Sequence, residues 1–164
     1  MVYFFLFSLI LISCTEKEDE DDDSKPSVVF ADTLAGGKLE GTAVKFICGN
    51  SINVRDTAYI TLFDTLYTNP CSKNHSDYMM EIAVPMVKGN HIAVYSSSFN
   101  HRAPYMALVN DLSAMCYYCI GQIKVSEIDS SAGVIRGAVY STLDNNTFVN
   151  GTFEVPICNF IKSL

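Results

Sequence analysis

From Gln122 to Val155 the apolar residues recur at every second position, a period that fits a strand with one dry face and does not fit a helix. Ile123 and Val125 alternate with Lys124 and Ser126. Past the turn residues Asp129, Ser130, Ser131, Ala132 and Gly133, one face carries Ile135, Gly137 and Val139, and the other carries Val134, Arg136, Ala138 and Tyr140. A second turn, Asp144-Asn145-Asn146, leads to Val149, Gly151, Phe153 and Val155. This stretch predicts a three-stranded meander that buries one side. Upstream, Val, Ile, Thr, Tyr and Phe again dominate the apolar content, and they suit a pleated surface. Strands are expected over 38–48, 58–64, 78–85, 90–96, 104–109, 116–127, 133–142 and 147–157, parted by turns such as Cys48-Gly49-Asn50-Ser51 and Lys88-Gly89-Asn90. Short strands at that spacing predict an all-β domain, a single antiparallel barrel or sandwich. Helical spacing occurs only between Met106 and Met115, through Ala107, Leu108, Leu112 and Met115, and Asn110 and Asp111 weaken it.

The N-terminal region obeys another logic. Val2 to Ile12 is an apolar run, well short of the roughly 20 residues a membrane-spanning helix needs. Its length suits the apolar region of a signal peptide. It ends in Leu11-Ile12-Ser13-Cys14, and Thr15 and an acidic block follow. The join resembles a bacterial lipoprotein signal, although no Lys or Arg precedes the apolar run. That resemblance implies residues 1–13 as a cleaved signal peptide, 14–27 as a lipidated Cys14 with a disordered acidic tether, and 28–164 as one β-rich domain. A diacylglycerol plus a further acyl chain holds a protein in a bilayer far better than one myristoyl chain, which is marginal.

Residues 16–25 hold seven acids and two lysines, a net of −5 out of the formal −7, which leaves −2 for the rest. A block of like charge without apolar residues repels itself and reads as a solvated spacer. Glu16, Glu18, Asp19, Glu20, Asp21, Asp22 and Asp23 also look like the acidic export signal of surface lipoproteins of the Bacteroidota. This implies the outer membrane and its outer face, with a periplasm-facing anchor as the alternative. Three triplets, Asp32-Thr33-Leu34, Asp56-Thr57-Ala58 and Asp64-Thr65-Leu66, resemble the O-glycosylation acceptor of the same bacteria, so Thr33, Thr57 and Thr65 are candidate acceptors. The Asn-x-Ser/Thr sites at Asn74, Asn145 and Asn150 read as polar turns.

A longer resemblance lies at the C-terminal end. Gln122-Ile123-Lys124-Val125-Ser126-Glu127-Ile128-Asp129, then Val134-Ile135-Arg136-Gly137-Ala138-Val139, then Phe148-Val149-Asn150-Gly151-Thr152-Phe153-Glu154-Val155-Pro156 is similar to the end of a domain of unknown function found in secreted lipoproteins of Bacteroidota. About 40 residues match well and the 80 before them loosely. Ala138-Val139 departs from the Thr-Phe usual there, and the cysteines are not part of the pattern. The resemblance implies a lipid-anchored, calycin-like or sandwich domain and carries over no catalytic residue.

With Cys14 given to lipid, Cys48, Cys71, Cys116, Cys119 and Cys158 remain, an odd number that leaves at least one outside any intrachain pairing. An exported chain can hold disulfides, and the sequence does not choose their connectivity. Cys116-Tyr117-Tyr118-Cys119 has redox spacing but enters a predicted strand rather than a helix, so structural disulfides or buried thiols are expected. A second Cys-x-x-Cys is lacking, and no metal site is expected. His75, His91 and His101 read as surface or satisfied histidines, and the chain lacks a nucleophile elbow, a P-loop and a dinucleotide fingerprint. The few scattered basic residues give nucleic acid no electrostatic footing. Tyrosines spread through the domain are the positive feature, because an apolar ring with a polar tip suits a contact surface. Tyr105, Tyr117 and Tyr118, with the loop from Ser96 to Pro104, are the candidate ligand contacts. The expectation is a non-enzymatic, cofactor-free envelope lipoprotein. It would be held to the membrane through Cys14 and would bind a ligand, glycan or envelope protein; a structural or accessory role in the periplasm is the alternative.

Overall fold

The computed structural model describes residues 28–72, 75–93, 104–113 and 115–158. Cys14, the acidic residues from Glu16 to Asp23, Asn74, His101 and the loop residues 96–103 lie outside them.

The described chain is all-β and forms one antiparallel curled sheet, a half-barrel. Its strands are β1 (Gly36–Leu39), β2 (Thr42–Lys45), β3 (Cys48–Val54), β4 (Thr57–Phe63), β5 (Tyr78–Pro85), β6 (Gly89–Ala93), β7 (Tyr105–Asn110), β8 (Met115–Asp129), β9 (Val134–Asp144) and β10 (Thr147–Pro156). Their order is β2-β1-β10-β9-β8-β7-β5-β4-β3, with β6 also pairing β8. The predicted meander is β8-β9-β10, and its dry face is the expected one. Ile123, Val125, Ile135, Val139, Val149, Phe153 and Val155 are all buried in the core. One irregularity serves the pattern: the register shifts between Val125 and Glu127, a bulge that returns Ile128 to the core side.

β8 is long because it belongs to two neighbourhoods. Residues up to Cys119 pair with β7, and those from Gly121 to Val125 pair with β6. The change falls at Gly121, where a Cβ would lie 1.9 Å from the Tyr140 carbonyl oxygen. Only glycine admits that approach.

Two expectations are corrected. The predicted strand 38–48 is a hairpin, since Glu40 (φ 51°) and Gly41 (φ 81°) form a tight two-residue turn between β1 and β2. The predicted turn Cys48-Gly49-Asn50-Ser51 is the first half of β3, because pairing with Phe63 to Ile60 supplies its backbone bonds. The strand expected over 104–109 is β7, held by pairing with β5 and β8, and a 3-10 turn at Asp111–Ser113 follows it.

The far edge of the sheet is tied to the meander. Ser51 of β3 bridges to Ile157, the Cys158 N–H donates to the Ser51 carbonyl at 2.7 Å, and a Cys71–Cys158 disulfide joins the β4–β5 loop to the same place.

Candidate functional site

Alternate residues of β4, β5, β7 and β8 fill the core: Ile60 and Leu62, Met80 and Ile82, Met106 and Leu108, and Cys119. The residues between them turn to the opposite face, and the register arranges them in rows. One row runs Ile52, Tyr59, Ala83, Tyr105. The next runs Asn50, Thr61, Glu81, Ala107, Tyr118. The third runs Cys48, Phe63, Met79, Val109.

The third row is covered by the chain's own loop. The β4–β5 connection folds back so that Tyr67 meets Phe63 edge-on, ring centroids 5.4 Å apart. Asn50 Nδ2 donates to the Pro70 carbonyl at 2.8 Å, and Cys71 pins the loop through its disulfide. Phe63 and Met79 are thereby buried although they face away from the core.

In the first two rows Ala83, Ala107 and Asn50 are buried as well, and the tyrosines, Thr61 and Glu81 are half-buried. Tyr59, Tyr105 and Tyr118 surround Ala83 and Ala107, and the Tyr105 and Tyr118 rings meet edge-on at 6.5 Å. Residues opposite or diagonal on neighbouring strands lie within reach of aromatic side chains. Among them stands Glu81, directly across from Thr61 on one side and Ala107 on the other. Burial alone pushes its carboxyl above the usual carboxylate range, and no described residue gives it a hydrogen bond or an ion pair. A carboxylate removed from water without a partner is costly.

Tyr117 belongs elsewhere. Odd and even residues of a strand face opposite sides, so Tyr117 lies against the core while Tyr118 joins the tyrosine rows. The Tyr117 hydroxyl donates to Glu40 Oε1, and Asn110 Nδ2 donates to Glu40 Oε2 at 2.8 Å. Those bonds, Tyr117 first, hold the Glu40 carboxyl below its usual range and push the Tyr117 hydroxyl up. Glu40 sits at the β1–β2 tip in the left-handed region, which a non-glycine residue adopts rarely. The cluster is a clasp that ties this hairpin to β7 and β8.

A third polar group surrounds the β4–β5 loop. His75 Nε2 pairs with Asp111 Oδ2 at 2.7 Å, whereas the Ser76 hydroxyl donates to Asp64. The serine proton is given to a carboxylate rather than to the imidazole, so the three groups do not line up as a nucleophile and its base. Among the described residues no cluster of His, Cys, Asp and Glu could hold a metal ion. Cys116 and Cys119 sit on one unbroken strand, in register with Val109 and Met106, and Cys119 is buried.

The candidate acceptors are separate from the tyrosine rows. Thr33 and Thr65 are exposed, each beside an exposed leucine; Thr57 opens β4, next to the buried Ala58. Asn150 clamps the entering chain: its Oδ1 accepts from the Ala31 N–H at 2.9 Å and its Nδ2 donates to the Val29 carbonyl at 3.1 Å.

Glu81, Tyr59 and Glu40 were not legible as site residues. One signal was present for Glu81, the only charged residue in the otherwise apolar strand Tyr78–Pro85. No protein-family model, curated protein or solved structure matches the chain.

Proposed function

We propose that this protein is a non-catalytic binding lipoprotein of the bacterial outer membrane, anchored through a lipidated Cys14 and related to the secreted Bacteroidota lipoproteins whose C-terminal pattern it resembles. Its ligand contacts the outer face of β4, β5, β7 and β8. The observation that carries the binding reading is the set of tyrosines around two alanines, with an unpartnered Glu81 among them. Tyrosine offers large contact area and a polar tip at little conformational cost. The grouping of Ser76, His75, Asp64 and Asp111 is wired away from nucleophile activation, which favours binding over hydrolysis.

Two measurements test this reading. Protease shaving of intact cells is expected to release the domain and leave a lipidated Cys14 fragment; protection until the envelope is broken would reverse the topology. Glycan and peptide arrays probed with the protein are expected to give hits that Tyr118→Ala abolishes. Hits untouched by Tyr118→Ala and Tyr59→Ala would place binding elsewhere.

A further inference from the structure

The chain enters the domain across one side of the sheet. Asn150 projects from the outer face of β10, where its side chain holds the Ala31 N–H and the Val29 carbonyl. The strand register gathers three exposed lysines around that place. Lys45 stands opposite Gly36 and Gly36 opposite Asn150, while Lys38 stands opposite Phe148, two residues before it. Lys124 stands opposite Ala138, and Ala138 opposite Thr152, two residues beyond Asn150. From the spacing of strands and the rise per residue, each lysine backbone lies within roughly 12 Å of Asn150. None of the three has an ion-pair partner among the described residues, and no acid stands in their rows. The next row holds Glu127 and Glu154, both paired with Arg136. Asp32 on the entering chain and Asp144 at the β9–β10 turn flank the patch. The same face exposes Ile120, across from Thr142, and Ile92, across from Gln122. Val29, where the chain enters, is exposed too.

Unpaired cations beside exposed apolar side chains select an occupant that gains from both. The chain's own acidic block would meet the lysines but has no apolar residue to cover the isoleucines. A membrane with anionic headgroups takes both, cations at the phosphates and apolar side chains at the headgroup boundary. We propose that this face docks on an anionic membrane surface, with Lys38, Lys45 and Lys124 on lipid phosphates and Ile92 and Ile120 at the headgroup boundary. The proposal rests on the membrane anchorage proposed above and adds which side of the domain meets the lipid. Cys14 precedes Val28 by 14 residues, and the chain that links them arrives on this face. A tether that short gives an effective concentration of order millimolar, so three lysines and two isoleucines need supply only a weak contact.

The test places the full chain on nanodiscs of phosphatidylcholine, alone or mixed with phosphatidylglycerol, and acetylates accessible lysines in a brief pulse read by peptide mass. Lys38, Lys45 and Lys124 are expected to react about tenfold more slowly on the anionic discs. Ile120 is already exposed, so Ile120→Asp spares the core while removing an apolar contact and adding an opposing charge. It is expected to restore the neutral-disc rates at all three lysines. Equal wild-type rates on the two discs, or slowing that survives Ile120→Asp, overturns the proposal. So does slowing already complete in non-ionic detergent. If that slowing fades with salt and carbodiimide joins the lysines to residues 16–23 of the same chain, the acidic block is the occupant; if it grows with protein concentration, a second copy is. The mass of the N-terminal fragment reports separately whether Cys14 carries lipid. Slowed lysines with an unmodified Cys14 would remove the anchorage reading and leave the docking face standing.

Discussion

At the scale of single residues, two carboxylates in this domain are held in opposite senses. Glu81 is raised by desolvation, so the folded state holds its proton more tightly than the unfolded chain. Stability therefore falls as pH rises through the interval above the unfolded carboxylate pKa. Glu81→Gln is expected to raise the melting temperature at neutral pH, and the gain should vanish in acid, where the wild-type carboxyl is also neutral. Thermal melts of both proteins across pH check this. Glu40 is lowered by its bonds from Tyr117 and Asn110, and Tyr117 is raised by the same bond. The clasp therefore contributes stability above the unfolded carboxylate range and loses it as pH falls through the folded value. It also weakens as pH rises through the tyrosine range. Tyr117→Phe should melt below wild type between about pH 5 and pH 9, with the difference shrinking on either side. A pH-independent difference would mean that ring packing, not the hydrogen bond, is lost.

At the scale of elements, β10 does two jobs. Its inward residues Val149, Phe153 and Val155 fill the core, and Phe153 lies over Gly137, where a Cβ would come within 2.6 Å of the ring. Its Asn150-Gly151-Thr152 segment receives the entering chain. The Ala35 N–H donates to the Thr152 carbonyl at 2.8 Å, and the Thr152 N–H donates to the Thr33 carbonyl at 2.7 Å. Gly151, at φ 145°, leaves no room for a side chain: a Cβ would lie 2.6 Å from Ala35 Cα and from the Thr33 carbonyl oxygen. The Asn-Gly part of the C-terminal motif is thus explained as a seat for residues 29–35 rather than as a ligand site. Gly151→Ala is expected to cost about 1–3 kcal/mol. It should also speed hydrogen exchange at the Ala31 and Ala35 amides while the β8–β9 ladder stays protected. Uniform loss of protection would show that the seat and the core unfold together.

At the scale of the whole molecule, the open side of the sheet closes where β3 meets the end of β10. Beyond the Ser51–Ile157 bridge, the covalent tie is Cys71–Cys158, across 87 residues of sequence. A loop of that length has much entropy to lose in the unfolded state, and removing such a bridge typically costs about 2–5 kcal/mol. Denaturation with and without reductant, repeated on Cys71→Ala, is expected to give equal midpoints for the reduced wild type and the variant, both below the oxidised protein. An unchanged midpoint on reduction would mean that the edge is held by its backbone bonds alone.

Period-two alternation is a local property of the pleat, so the all-β class, the meander and its dry face were legible along the chain. It also placed most of the other strands. Tertiary pairing decided the rest. Whether Gly49 and Asn50 turn or extend depends on Leu62 and Thr61, more than ten residues away. Tyr117 and Tyr118 are adjacent in sequence, yet the pleat sends one to a clasp with Glu40 and the other to the tyrosine rows. Which cysteine meets Cys158, and which tyrosines share a face with Glu81, are consequences of strand order, and strand order is carried by contacts between residues far apart in the chain.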